Sequence, residues 1–148
     1  MKVSLKNLLK TGQLAEHQTD AKQVSKLLES SARCLADARQ TSITPETRLE
    51  AGYRAIMQVS MVALWANGYR LLSTSGHHMT MIQSLVTSVG LDTDQMRVLD
   101  SFRIKRNAIS YSGEDMDESS VAACIVAAEQ LMCHVQDWLG KNRPDLIA

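Results

Sequence analysis

Residues 44–72 read TPETRLEAGYRAIMQVSMVALWANGYRLL and carry one continuous helical pattern. Thr44 is a typical N-cap residue, Pro45 fits the first helical position, and Glu46 places a negative charge in the first turn. From Ile56 to Trp65 the pattern is apolar over much of the helix circumference, which is typical of a helix that is covered on several sides. The stretch therefore predicts a long helix at the centre of the protein.

Apolar residues at helical spacing predict further helices on both sides of this stretch. They cover residues 4–10, 21–39, 77–89 and 117–139, and a fifth pattern begins with the capping-box-like pair Asp92 and Gln95. Gly12, Gly90 and Gly140 stand where helices are expected to end. A chain of 148 residues is most simply one domain. We therefore predict a single all-α domain over residues 1–148, built as an up-down bundle of four to six helices.

Charge and cysteine content limit the classes of function. The sixteen basic and sixteen acidic side chains cancel, so an anion must be bound by a local patch rather than by a global field. The three cysteines form no CxxC pair, which argues against a disulfide framework and for a reducing cytoplasm. No signal peptide is recognisable at the N-terminus, and the uncharged run 55–69 is too short to span a bilayer. We expect a cytoplasmic protein with no membrane partner.

The strongest concentration of charge lies in residues 101–113, SFRIKRNAISYSG, and acidic residues follow at 114, 115, 117 and 118. On a helix, Arg103, Arg106, Asn107 and Ser110 share one face. Guanidinium groups match the geometry of phosphate, so this face predicts a phosphate-binding site. The alternative is structural: Arg103 and Arg106 pair with the acidic residues just beyond them and fix the turn into the last helix.

Two neighbouring predictions do not depend on a ligand. Phe102 and Ile104 are expected to line the inner face of the fifth helix.

The adjacent histidines His77 and His78 suggest a metal, but consecutive helical residues point about 100° apart and no Cys, Asp or Glu follows either histidine by three or four positions. We therefore predict no metal site and no cofactor, and we expect a histidine at this helix start to hydrogen-bond a neighbouring loop.

Three short motifs occur in a characteristic order: GYRA at 52–55, GHH at 76–78 and KRN-x3-Y at 105–111. Together, over residues 52–138, they resemble the HEPN superfamily of small bacterial helical bundles. Members of that family usually form dimers and often act in toxin–antitoxin or defence systems. The resemblance implies a homodimer with RNA or a nucleotide as ligand, or with an antitoxin or nucleotidyltransferase-like protein as partner.

Catalytic HEPN proteins carry an arginine, usually a polar residue, and a histidine a few positions later, and two copies of this motif cleave RNA without metal. Arg106 matches the arginine and Asn107 the polar residue, but Tyr111 stands at the histidine position. A phenol has a pKa of about 10 and is a poor general base at neutral pH. His134, on the last predicted helix, matches no motif of the family. The resemblance thus implies lost or altered nuclease activity.

Three hypotheses follow, of which we favour the first and third jointly. The first is a non-catalytic or weakly active module that binds RNA or a nucleotide through Arg103, Lys105, Arg106, Asn107 and Tyr111. The second is an active metal-independent endoribonuclease toxin in which Arg106 and Tyr111 are catalytic. The third is the helical partner of another protein, such as a nucleotidyltransferase-like protein, with no nucleic-acid ligand.

Overall fold

The computed structural model describes residues 4–72, 77–112 and 115–147, and for residues 110–112 the backbone alone. These residues form an all-α helical bundle with one small antiparallel ribbon, which confirms the predicted fold class. In chain order the elements are α1 (Leu5–Lys10), β1 (Leu14–Glu16), α2 (Ala21–Ala38), α3 (Pro45–Ala66), β2 (Tyr69–Leu71), α4 (His77–Ser88), α5 (Thr93–Ser112), α6 (Glu118–Asn142) and a 3-10 helix (Pro144–Leu146).

Helix α3 is the centre of the bundle, as its apolar circumference predicts. It packs against α2, α4, α5 and α6, and its residues Ile56 and Val62 are completely buried. The predicted start is also confirmed, because the Thr44 hydroxyl accepts a hydrogen bond from the backbone N–H of Thr47 at 3.3 Å and Pro45 follows the cap. Burial of most of its circumference explains why this helix carries no charged residue between residues 55 and 66.

The end of α3 differs from the prediction. The helix stops at Ala66 rather than near residue 72, and Gly68 turns the chain with a φ of +92°. Strand β2 then pairs with β1, Leu14 opposite Leu71 and Glu16 opposite Tyr69. The ribbon was not predicted because three-residue strands are too short to show an alternating pattern, and the apolar residues at 69, 71 and 72 continue the helical spacing.

Helix α6 begins as predicted and ends later than predicted. The Asp117 carboxylate accepts a hydrogen bond from the N–H of Ser120 at 3.2 Å and caps the helix. The helix passes through Gly140 and continues to Asn142. Gly140 does not adopt a positive φ, unlike Gly12 and Gly90, and so it forms part of the helix instead of ending it.

Gly52 of α3 packs against Cys124 of α6. A Cβ atom at this position would lie 3.0 Å from the Sγ atom of Cys124, which is tighter than nearly all observed contacts. Cys124 is fully buried, and this burial raises the pKa of its thiol to about 12, so the group stays neutral. The absence of a side chain at Gly52 therefore allows the two helices to pack with the thiol between them.

We expect Gly52→Ala and Cys124→Ala to be strongly coupled in their effects on the free energy of unfolding. Removing the sulfur makes room for the new methyl group, so Cys124→Ala should be less costly in the Gly52→Ala background, by about 1 kcal/mol or more. Urea unfolding of the wild type, the two single variants and the double variant measures this coupling. Gly140→Ala is the control, since its Cβ would meet Ile147 at 3.8 Å, an ordinary contact, and should stabilise the helix by about 0.5–1 kcal/mol. Additive effects would show that Cys124 does not restrict position 52.

Candidate functional site

Arg106 lies where α5 crosses α3. Its Nε donates to both carboxylate oxygens of Glu50, at 2.9 and 3.2 Å, and its guanidinium carbon lies 5.4 Å from the centre of the Tyr53 ring. Glu50 and Tyr53 are three residues apart on α3 and therefore share a helix face. The Arg106 side chain is 31 % exposed and that of Glu50 is 52 % exposed, so the ion pair is in partial contact with solvent.

The histidine pair at the start of α4 joins the same cluster. The Nδ1 atom of His78 lies 3.1 Å from the hydroxyl oxygen of Tyr53, whose ring is buried. His77 packs edge-to-face against His78, with ring centres 4.4 Å apart. We predicted a loop partner for a histidine here, but the partner of His78 is a side chain of the central helix. Residues of the third, fourth and fifth helices thus meet at one place.

The electrostatics of this cluster favour neutral forms of its tyrosine and histidine. Burial raises the pKa of Tyr53 to about 12, although Arg106 and Arg103 oppose this shift. Burial lowers the pKa of His78, and the electrostatic interactions of its ring with His77 and Arg106 lower this pKa further. At neutral pH the Tyr53 hydroxyl is therefore protonated, and a neutral His78 is suited to accept its hydrogen at Nδ1.

The other residues of the predicted phosphate site lie on α5 but point to different partners. Arg103 donates from Nε to Asp100 at 2.6 Å, and this bond raises the pKa of the guanidinium. Lys105 donates from Nζ to the Ser120 hydroxyl at 2.6 Å and so links α5 to the start of α6. Asn107 is half-buried beside Arg106. The backbone of Tyr111 belongs to the last turn of α5, and its side chain lies outside the described residues.

The alternative prediction was that Arg103 and Arg106 pair with the acidic residues after α5. The structure describes only some of those acidic residues. Arg103 pairs with Asp100 and Arg106 with Glu50, whereas Glu118 forms an ion pair with Arg48 at 2.6 Å. Asp117 caps α6, and Glu114 lies outside the described residues. Two of the acidic side chains therefore hold the start of α6 through other contacts.

The inner face of α5 is narrower than predicted. Phe102 is 4 % exposed and packs in the core, as expected, but Ile104 is 56 % exposed and the prediction of its burial was wrong. Leu99 and Phe102 are three residues apart and share the buried face. Ile104 follows Phe102 by two positions, about 200° around the helix, and therefore points to the opposite side.

His134 lies apart from the cluster and has a structural contact, because its Nε2 is 2.7 Å from the carbonyl oxygen of Val89 at the end of α4. Within residues 4–72, 77–112 and 115–147, no group of three or more His, Cys, Asp or Glu side chains is placed to hold a metal ion. In the same residues, no helix combines the length and apolar composition needed to cross a membrane.

Glu50 and Tyr53 were not predicted as members of the site. A tyrosine inside an apolar helix was an available signal, because a buried phenol usually needs a hydrogen-bond partner. The chain was also compared with known proteins. No family model matches it, and neither the curated proteins nor the solved structures contain a significant match.

Proposed function

We propose that this chain is an HEPN-like module of a toxin–antitoxin or defence system that binds RNA or a nucleotide, forms a homodimer and lacks full ribonuclease activity. The observation that carries the proposal is the position of Arg106, a partly exposed guanidinium held over the Tyr53 ring, whose hydroxyl contacts His78. The motifs at 52–55, 76–78 and 105–111 supply the resemblance, and these three motifs provide Tyr53, His78 and Arg106 respectively.

The contacts of Arg106 suit a phosphate ligand. The face of the Tyr53 ring attracts the guanidinium of Arg106 and orients it before a ligand arrives. A cation–π interaction of this kind contributes about 0.5–1 kcal/mol at a partly exposed site. The ion pair with Glu50 is also partly exposed, and such pairs contribute only about 0–1 kcal/mol. A phosphate group that forms charge-assisted hydrogen bonds with Arg106 can therefore compete with the Glu50 carboxylate.

The acid–base properties of the cluster favour binding over cleavage. RNA cleavage through the 2′-hydroxyl needs a group that takes up a proton near neutral pH. Tyr53 has a pKa of about 12, and the lowered pKa of His78 makes it a weaker base. The Nδ1 atom of His78 is, in addition, engaged with the Tyr53 hydroxyl. We therefore propose recognition of phosphate without efficient catalysis.

One observation supports a second candidate, the metal-independent endoribonuclease. A histidine and an arginine do meet at this site, although His78 comes from the start of α4 rather than from the position after Arg106. In this alternative the Nε2 atom of His78 is the acid or base, and Arg106 stabilises charge on the phosphate.

We expect Arg106→Ala to weaken binding of a labelled single-stranded RNA about tenfold and to reduce the salt dependence of binding by about one phosphate contact. Glu50→Gln should tighten binding, because it removes the competing carboxylate and leaves a neutral side chain of the same size. Arg97→Ala is the matched control, since Arg97 is a well-exposed arginine of the same helix paired with Asp94. Fluorescence polarisation at several salt concentrations, with thermal unfolding of each variant, measures these effects.

Equal RNA affinity of Arg106→Ala and Arg97→Ala would contradict the proposal. Cleavage of the RNA by the wild type in the presence of EDTA, lost in His78→Ala, would replace it with the endoribonuclease. A wild-type protein that binds no RNA at any salt concentration would also contradict it and would favour the role of helical partner to another protein.

A further inference from the structure

A groove of about 360 Å³ lies between α3, α4 and the β1–β2 ribbon, next to the Arg106 cluster. His78 belongs to both, since its ring also lines the groove. The groove is lined by aromatic rings, by methionine thioethers and by a cationic arginine side chain. These side chains belong to His17, Trp65, Met57, Met61, Arg70 and His77.

Two rings of the wall, those of His17 and Trp65, lie against each other. The backbone N–H of His17, directly after β1, donates to the carbonyl of Gly68 at 2.8 Å, and its Nε2 lies 3.2 Å from Oε1 of Gln23. These contacts hold the imidazole against Trp65, with ring centres 5.1 Å apart and planes inclined by 35°. Because the rings are oriented before a ligand arrives, little side-chain entropy is lost on binding.

The chemistry of the lining selects a planar ligand with an anionic neighbour. Aromatic rings and the polarisable sulfurs of Met57 and Met61 form favourable contacts with a flat π-system. Arg70 offers hydrogen-bond donors and positive charge. The volume lies at the lower end of the range for ligand pockets, roughly 300–1,000 Å³, as expected for a small ligand.

We infer that this groove takes a nucleobase of unpaired RNA, while Arg106 holds a neighbouring phosphate. The inference rests on the proposed function and names the substrate class of the same site: single-stranded rather than duplex RNA. A base that is stacked and paired in a duplex presents only its edge and cannot enter such a groove. Stacking on aromatic side chains also tolerates different bases, so we expect weak sequence preference.

Trp65 is both the probe and the target of the test. The chain has two tryptophans, so Trp138→Phe leaves Trp65 as the only indole. In that protein a nucleoside monophosphate should quench the fluorescence, whereas ribose 5-phosphate, which lacks the base, should not. Trp65→Leu keeps an apolar side chain but removes the ring, and should weaken single-stranded RNA binding about tenfold while leaving duplex RNA affinity unchanged. Trp65→Phe should retain most of the affinity.

The outcomes separate the two proposals. If Arg106→Ala weakens RNA binding but Trp65→Leu does not, and the nucleotide leaves Trp65 fluorescence unchanged, the groove inference alone is wrong. If Arg106→Ala has no effect, the proposed function fails with it. Should Trp65→Leu unfold, the quenching experiment on Trp138→Phe still decides the question.

Discussion

Phe102→Ala is expected to lower the free energy of unfolding by about 3–5 kcal/mol, the usual cost of removing a buried aromatic ring. Phe102 is the only phenylalanine of the chain and belongs to the core cluster that joins α5 to the rest of the bundle. The variant loses the contacts of the ring and leaves a cavity that packed helices fill only in part. A loss of this size is a large fraction of the total stability of an ordinary domain.

Ile104→Ala is the matched control for this prediction. It removes an apolar side chain two positions further along the same helix, but from the exposed side, and should change the free energy of unfolding by no more than about 0.5 kcal/mol. Urea titrations followed by circular dichroism compare the two variants directly. Similar losses for both would show that the buried face of α5 is assigned incorrectly.

Arg48→Met is expected to cost about 2–3 kcal/mol, because it removes a buried donor that two other elements use. The Arg48 side chain donates from Nε to the carbonyl of Ala38, at the end of α2, at 2.8 Å. Its Nη1 donates to the Glu118 carboxylate at the start of α6 at 2.6 Å. Methionine occupies a similar apolar volume but leaves the Ala38 carbonyl without this donor.

The two partners in this ion pair should not be equally important. Glu118 is largely exposed, so Glu118→Gln keeps an acceptor in contact with water and should cost less than about 1 kcal/mol. Arg48 is buried, and its loss affects the packing of three helices. Urea unfolding of both variants measures the asymmetry. Equal costs would mean that the bond to Ala38 contributes nothing and that only the exposed ion pair matters.

The features that were predicted correctly depend on neighbouring residues. The N-caps Thr44 and Asp117 act within three residues, and the apolar pattern of α3 depends on a local period. The ribbon, in contrast, joins Leu14 to Leu71, and no local pattern specifies that pairing. Gly140 was predicted to end α6, because glycine is common at helix ends. In the structure Gly140 lies within α6.

The candidate site also combines features that local sequence predicts with features that only long-range packing determines. The basic stretch lies on a helix, as its spacing was interpreted, because Arg103, Arg106 and Asn107 all belong to α5. The partners of Arg106 are set by packing, because Glu50 lies 56 residues earlier in the chain, and the bond from Tyr53 to His78 spans 25 residues. The short motifs could indicate that these segments matter, but only the crossing of α3, α4 and α5 brings their side chains together.

The end of α4 has a consequence for cooperativity. Two carbonyl groups at this end are satisfied from outside α4: the Asn67 side chain, directly after α3, donates to the carbonyl of Ser88 at 2.9 Å, and His134 of α6 contacts the carbonyl of Val89, directly after α4. A helix end held in this way cannot fray independently, so α4 opens together with the contacts of α3 and α6. Because His78 stands in the first turn of the same helix, its orientation depends on the stability of the whole bundle rather than on its local sequence.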